Sequence, residues 1–285
     1  MYRGRFAPSP TGDLHFGSQA AALASWLRAH QHGGAWLIRV EDIDPPRQVA
    51  GSTQSILAAL DRFGLHADAT PLYQSQRSDA YAEALQRLRG DGHAFPCWCS
   101  RADLDAAGQV HRDGYCLAPQ RDDRSPAWRL RVSDMDIAFD DGLQGRQRQN
   151  IRREIGDFVL QRADGLWSYQ LACVVDDAFQ SITEVVRGCD LLDSTPRQIL
   201  LQRLLDLPTP AYLHLPLAVD AEGRKLSKSG DAPAVDMHDP RETLVRALRF
   251  LGQSVPDAKE PAGMLKIAAH QFDLAPLLGE SLREA

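Results

Sequence analysis

Two stretches of the chain carry residues suited to handling a phosphate chain. The first is Pro8-Ser9-Pro10-Thr11-Gly12-Asp13-Leu14-His15-Phe16-Gly17-Ser18. It falls where the strand-like run Tyr2 to Ala7 gives way to an alanine-rich run from Ser18. A turn between a first strand and a first helix offers free helix N–H groups and the positive end of the dipole to an anion. Gly17 lacks a side chain, so adenine or ribose could approach its backbone. His15 could donate hydrogen bonds to charge developing on a phosphate. A loop turned by proline and glycine, with His15 merely capping the helix, accounts for the same residues. The second stretch is Arg224-Lys225-Leu226-Ser227-Lys228-Ser229-Gly230. Lysine is a flexible point charge that can follow a triphosphate as its geometry changes. A loop closing only on the reacting complex would put Lys225 and Lys228 where they favour the transition state. A solvated basic loop is the plainer account.

Cys97-Trp98-Cys99, with Cys116 downstream, is a third candidate. Thiolates at i and i+2 plus one in a loop suit a structural Zn²⁺. The fourth ligand stays open among His111, Tyr115 and His93, with His111 the best by chemistry. Reduced, partly buried cysteines are the alternative. Arg146, Arg148, Arg152 and Arg153 crowd the stretch 146–153 without an acid. Nucleic-acid phosphates or a solvated helix face would each explain them.

These residues need a frame. Tyr2 to Ala7 reads as a strand, the run from Ser18 as a helix stopped by Gly33-Gly34, and Ala35 to Glu41 as the next strand. That β–α–β order predicts a parallel sheet. Ile56, Leu57, Leu60 and Phe63 fall at helical spacing, as do Tyr81, Leu85 and Leu88, with Ser78 as an N-cap. From Phe95 to Gly145 the chain is rich in Cys, Asp, Gly and Arg and reads as an insertion. Asp193 or Ser194, then Pro196, predict a helix through Ile199, Leu200 and Leu204. Tyr212 to Val219 reads as one strand, 224–234 as a polar loop, and Pro240 to Gly252 as a last clear helix before a short helical tail. The expected fold class is α/β, a Rossmann-type parallel sheet in two halves, 1–94 and 186–235. An inserted subdomain with the zinc site occupies 95–185, and a helical tail 236–285.

The 285 residues are 44% hydrophobic and 25% charged, the composition of a soluble globular protein. No run approaches the ~18 apolar residues of a membrane helix. The start lacks the apolar stretch of a secretory signal, so a cytoplasmic location and no membrane partner are expected. Five cysteines argue against a disulfide framework, leaving metal binding, or burial for Cys173 and Cys189. A net charge of −6 argues against a generic nucleic-acid binder but leaves room for a local basic surface.

Taken together, His15-Phe16-Gly17-Ser18 and Lys225-Leu226-Ser227-Lys228-Ser229 resemble the two signature motifs of class I aminoacyl-tRNA synthetases, in order and in wide separation. Arg5 to Gly12, Arg39 to Asp44, Glu184 to Gly188 and His214 to Leu217 resemble the glutamyl-tRNA synthetase group. The likeness runs from Tyr2 to about Gly252. Phe16 and Ser18 stand where the signature has Ile and His, and Leu226 stands for a Met of similar volume. Ser18 leaves His15 as the motif's one histidine, which would slow the chemistry without abolishing it.

The resemblance implies a nucleotide site of His15, Gly17, Ser18, Lys225, Ser227, Lys228 and Ser229, with His15, Lys225 and Lys228 catalytic. It places Arg5, Ala7, Ser9, Glu41, Tyr169 and Arg187 around glutamate. Arg5 and Arg187 would grip the carboxylates, Tyr169 would donate a hydrogen bond, and Glu41 would meet the ammonium. Which arginine takes which carboxylate stays open. With ATP and Mg²⁺, a glutamate carboxylate oxygen would attack the α-phosphorus and pyrophosphate would leave. Short members of the group carry Cys-x-Cys, a Tyr and a Cys at the metal, but the position four before Cys116 is Arg112 here. Full-length members continue into an anticodon-binding region, which is expected to be absent. The resemblance is to the shortened branch, which activates L-glutamate without tRNA and esterifies it onto the queuosine base in the anticodon of tRNA(Asp). A monomer is expected. The competing readings are a minimal enzyme charging the tRNA 3′ end and a non-catalytic tRNA-binding paralogue.

Overall fold

The computed structural model describes residues 1–106, 110–112, 114–224, 235 and 238–284. The chain begins β1 (Arg3–Phe6), α1 (Phe16–Gln31), β2 (Ala35–Val40), α2 (Ser52–Arg62), β3 (Leu72–Tyr73) and α3 (Ser78–Gly90). It continues β4 (Ala94–Cys97), α4 (Arg101–Ala106), β5 (Ala127–Leu130), β6 (Asp136–Asp141), β7 (Gly145–Asn150), α5 (Ile151–Glu154), β8 (Val159–Gln161) and α6 (Tyr169–Phe179). The described part closes with β9 (Glu184–Gly188), α7 (Thr195–Leu204), β10 (Ala211–Leu215), β11 (Leu217–Val219), α8 (Pro240–Phe250), α9 (Pro261–Gln271) and β12 (Leu282–Glu284).

The first crossover is the predicted one. Helix α1 buries Ala20, Ala22, Leu23, Ala24, Trp26 and Leu27. Gly33, at φ +58°, turns the chain after it. A Cβ on Gly34 would sit 2.3 Å from the Tyr2 carbonyl oxygen, so only glycine lets the chain pass there. Strand β2 then pairs parallel with β1, Arg3 opposite Ala35 through Phe6 opposite Ile38. On the other side of β2, β3 pairs parallel at Arg39–Leu72.

A second parallel group joins β9 to β10, from Glu184–Ala211 to Gly188–Leu215. Strand β10 also meets β6 at Tyr212–Asp141, and β7 folds back antiparallel on β6. The two groups meet edge to edge: the Thr183 N–H donates to Arg3 O and the Arg3 N–H donates to Thr183 Oγ1, both at 2.9 Å. One apolar core lies between this sheet and α1, α2, α8 and α9, around Leu23, Trp36, Phe63, Leu248 and Leu265. A second packs α3, α6 and α7 on the other face, around Tyr81, Leu171, Ile199 and Tyr212. Strands β4, β5 and β8 form a separate antiparallel sheet.

The structure departs from the expectations at four places. Ser78 is the first residue of α3, whose N-cap is Arg77; the Ser78 hydroxyl instead accepts from Trp167 Nε1 at 3.3 Å. The run 212–219 is broken at Pro216, which has no N–H to give a ladder, so β10 and β11 enter different sheets. The tail is not all helical: β12 pairs parallel with β11. The basic run 146–153 is mostly strand rather than helix. Three of its four arginines pair with acids of β6 and the turn before it, Arg146 with Asp140, Arg148 with Asp136 and Arg153 with Asp134, while Arg152 donates to the Arg112 carbonyl. Those exposed pairs cancel much of the positive field that phosphates would seek.

Candidate active site

The carboxyl ends of β1, β2, β9 and β10 open on a cleft of about 420 Å³. Ligands of open α/β sheets bind at that edge, where the strand order reverses. Arg5, Ala7, Glu41, Tyr169 and Arg187 line it from the expected amino-acid set. His15, Gly17 and Ser18 line it from the expected nucleotide set. Ser9 is not among the lining residues; its carbonyl closes the turn by accepting from the Thr11 N–H at 2.8 Å.

Arg5 is held from behind. Its Nε donates to Asp177 Oδ1 at 3.1 Å, and Arg39 Nη1 donates to the same oxygen at 2.6 Å. Arg39 also reaches Glu41 Oε1 at 3.3 Å and Gln180 Oε1 at 3.1 Å. Burial alone would raise the Asp177 carboxyl, but the two guanidiniums pull it down to about 2. Glu41 answers differently: burial dominates and leaves its carboxyl above the usual range, although Arg39 and Arg5 oppose this. A ligand ammonium beside Glu41 would draw its carboxyl back down.

Arg187 is fixed at four points. Its Nη1 donates to Tyr169 Oη at 3.1 Å, its Nη2 to Thr195 Oγ1 at 2.8 Å and to the Leu191 carbonyl at 3.4 Å, and its Nε to His214 Nε2 at 3.0 Å. Tyr169 opens α6, whose N-cap Ser168 accepts from the Leu171 N–H at 3.4 Å. Tyr169, Cys173 and Asp177 recur at i, i+4 and i+8 of that helix, so one face serves both arginines. Burial pushes the Cys173 thiol up to about 12, which leaves it an inert packing group.

At the other end, His15 both caps and lines. As N-cap of α1 its Nδ1 accepts from the Ser18 N–H at 3.4 Å, and its Nε2 lies 2.8 Å from Ser18 Oγ. Capping the helix therefore does not remove the His15 side chain from the cleft. A Cβ on Gly17 would lie 3.5 Å from the His15 ring, ordinary contact, so the glycine keeps the cleft open rather than relieving a clash.

Lys225, Ser227, Lys228 and Ser229 lie outside the described residues. The chain on either side of them is placed. Leu217 and Ala218 of β11 line the cleft, and the Ala218 Cβ would lie 3.9 Å from a Cβ on Gly17. On the return, the Val235 N–H donates to the Leu14 carbonyl at 3.0 Å.

The cysteine cluster lies in the 95–185 segment. Sulfurs of Cys97, Cys99 and Cys116 all fall within 4.8 Å of one another. Cys99 and Cys116 are 3.8 Å apart, the edge expected of a tetrahedron with Zn–S bonds of about 2.3 Å. Burial pushes Cys97 up to about 11. Burial works the same way on Cys116, but the Trp98 N–H, donating at 3.0 Å, helps draw its thiol below the usual value. The donor set therefore fits a structural zinc. No fourth His, Cys, Asp or Glu joins it among the described residues. His111, the best candidate by chemistry, is not within the cluster as placed; its Nδ1 is 2.8 Å from Asp157 in a buried pair, and its Nε2 is buried without a hydrogen-bond partner among the described residues. Tyr115, beside Cys116, is 62% exposed.

Asp177, Arg39, His214, Asp141 and Thr195 were not singled out from the sequence for the site. The i, i+4, i+8 spacing from Tyr169 was the available signal for Asp177. Arg39 and His214 sat inside motifs noted for likeness alone.

The fold and the cleft define a class. The family described as tRNA synthetases class I (E and Q), catalytic domain, matches residues 1–274, and the chain belongs to it. Within that class it is similar over nearly its whole length to proteins named glutamyl-Q tRNA(Asp) synthetase. One from Xanthomonas axonopodis pv. citri is 54% identical over 270 residues, 94% of this chain and 89% of that relative. One from Neisseria meningitidis serogroup B is 48% identical over 284 residues, 96% of both chains. A solved glutamate tRNA ligase from Elizabethkingia meningosepticum shares the fold, with a TM-score of 0.81 at 24% identity. That match covers 99% of this chain and 66% of the ligase. No helix among the described residues is long and apolar enough to cross a membrane.

Proposed function

We propose that the cleft activates L-glutamate with ATP, without needing tRNA, and that the chain then esterifies the glutamate onto the queuosine base of tRNA(Asp). The activity would be cytoplasmic. The observation that carries the first step is the convergence of Arg5, Glu41, Tyr169 and Arg187 in one cleft with the His15 turn. Two guanidiniums suit the two carboxylates of glutamate, and Glu41 suits its ammonium. The free N–H groups at the start of α1 and the His15 ring suit the phosphates. Lys225 and Lys228 would close from the opposite side, which the placement of Ala218 and Val235 supports. A glutamate carboxylate oxygen bonds to the α-phosphorus, the bond to the β-phosphate oxygen breaks, and pyrophosphate leaves. The protein's part is to position the two reactants and to neutralise charge. Mg²⁺ supplies further neutralisation on the phosphate oxygens. Mg²⁺ would be held mostly through phosphate and water oxygens, since it gives up its waters reluctantly. Zinc at Cys97, Cys99 and Cys116 would be structural, with the fourth position open between His111 and Tyr115.

The transfer step rests on the relatives' names. The test is glutamate-dependent pyrophosphate exchange, with and without tRNA, followed by mapping of the attached glutamate. Exchange without tRNA and loss of transfer after periodate cleavage of the queuosine diol are expected. No exchange with glutamate would remove the reading of the cleft. Glutamate on the 3′ end would remove the queuosine step alone.

A further inference from the structure

Behind Arg187, away from the cleft, lies a buried acid–imidazole pair that the chemistry above does not use. His214 Nδ1 is 2.6 Å from Asp141 Oδ2, and both side chains are 0% exposed. The other Asp141 oxygen accepts the backbone N–H groups of Leu143 at 3.0 Å, Gln144 at 2.9 Å and His214 at 3.2 Å. That leaves the carboxylate ionised: burial opposes this, but the His214 bond and those N–H groups hold it below its usual value. An ionised carboxylate can only accept, so the proton of a neutral imidazole is on Nδ1. Nε2 is then a bare acceptor, and it faces Arg187 Nε at 3.0 Å. Thr195 completes the arrangement. Its Oγ1 accepts from Arg187 Nη2 at 2.8 Å and lies 3.2 Å from His214 Nε2.

We propose that Asp141 and His214 are positioning residues that set the orientation of the Arg187 guanidinium and thereby the affinity for glutamate. The inference rests on the proposed reading of the cleft as a glutamate site. A buried ion-pairing acid is a poor way to fill a core, since apolar groups of equal volume pack at lower cost. Its use here is to fix one tautomer, and the tautomer fixes the arginine. Without the acceptor, Arg187 keeps Tyr169 and Thr195 but loses the bond that sets its tilt.

The arrangement has a pH consequence. The charged groups facing His214 are Asp141 from β6, Arg187 from β9 and Arg5 from β1; Tyr212 stacks on it from its own strand. Burial lowers the imidazole's proton affinity, the Asp141 bond works against this, and the arginines add to the lowering. The net direction is below the ordinary value of 6.5. A proton on Nε2 would oppose one N–H donor to another, and Arg187 would turn away.

The test compares His214→Gln with His214→Asn in the full chain, by pyrophosphate exchange, with thermal unfolding as the check on folding. The Gln amide oxygen reaches the place of Nε2 and accepts from Arg187; Asn is too short. His214→Asn should raise the glutamate KM about 10- to 100-fold, the scale of a lost bond to a charged group, with the ATP KM within about 2-fold. His214→Gln should return most of the loss. The acid-side loss of wild-type kcat/KM for glutamate should set in only below the ordinary imidazole value, since His214 is shifted downward, and His214→Gln should lessen that loss. A folded His214→Asn with wild-type glutamate KM, an equal rise in both KM values, or Gln no better than Asn would overturn the proposal. Should the Asn variant not fold, a folded His214→Gln whose acid-side loss equals that of wild type would overturn it. Wild-type exchange with unaffected variants removes the support alone; no wild-type exchange removes the glutamate site and the support together.

Discussion

The Val235 N–H donates to the Leu14 carbonyl at 3.0 Å, so the chain returning from the lysine stretch lands one residue before His15. The outgoing side, β11, lines the same cleft. Two signature motifs some 200 residues apart in sequence are thus tied at their bases.

Lys228→Ala should cut glutamate-dependent pyrophosphate exchange by at least ~10²-fold, the scale of removing a preorganised charge from a phosphoryl-transfer site. Thermal unfolding checks that the variant is folded. Exchange at the wild-type rate would remove the clamp assignment.

Asp177→Asn should damage both fold and binding. It removes the anion shared by Arg5 and Arg39, both buried, and leaves two like charges facing each other. Breaking a buried pair in this way costs about 3–5 kcal/mol. Urea unfolding should show a lowered midpoint, and the glutamate KM should rise. A variant with the wild-type midpoint would mean that the arginines do not depend on this acid.

The same residue shapes acid stability. Its folded pKa of about 2 lies below the ordinary Asp value, so its contribution is full above about pH 4 and is lost as pH falls towards 2. The contribution is about 2–3 kcal/mol. Unfolding free energy measured from pH 5 to 2 should fall more steeply for wild type than for Asp177→Asn. Parallel curves would contradict the depressed value.

Zinc should co-purify at about one atom per chain, and Cys97→Ser or Cys116→Ser should remove it. Because ligand binding to the folded state adds to its stability, a strong chelator should lower the unfolding temperature of wild type and not of those variants. Metal content by atomic emission decides the first point. A metal-free, equally stable wild type would return the cysteines to packing.

Much of the frame was legible because its parts are local. The His15 turn and the strand that carries Arg5 follow from short-range rules about strands, turns and caps, while the placing of Glu41 and Tyr169 at the site came from the resemblance. Two readings left open depend on partners along the chain. In the basic run 146–153, Arg146, Arg148 and Arg153 meet Asp140, Asp136 and Asp134 once β6 is set beside them. His111 pairs its Nδ1 with Asp157, 46 positions away.

Residue types and spacing by themselves determined the parallel β–α–β start and offered two stretches that could handle phosphate, while the likeness to a family pointed to the arginines as suited to an acidic amino acid. Only the tertiary structure decided what stands behind those arginines: Asp177 from α6 under Arg5, and Asp141 with His214 under Arg187. The physical reason is that a buried charge must find its partner wherever packing brings one, and such partners here lie 27 to 172 positions away in the chain. Sequence spacing carries no signal at that range, while low dielectric makes the pairing decisive.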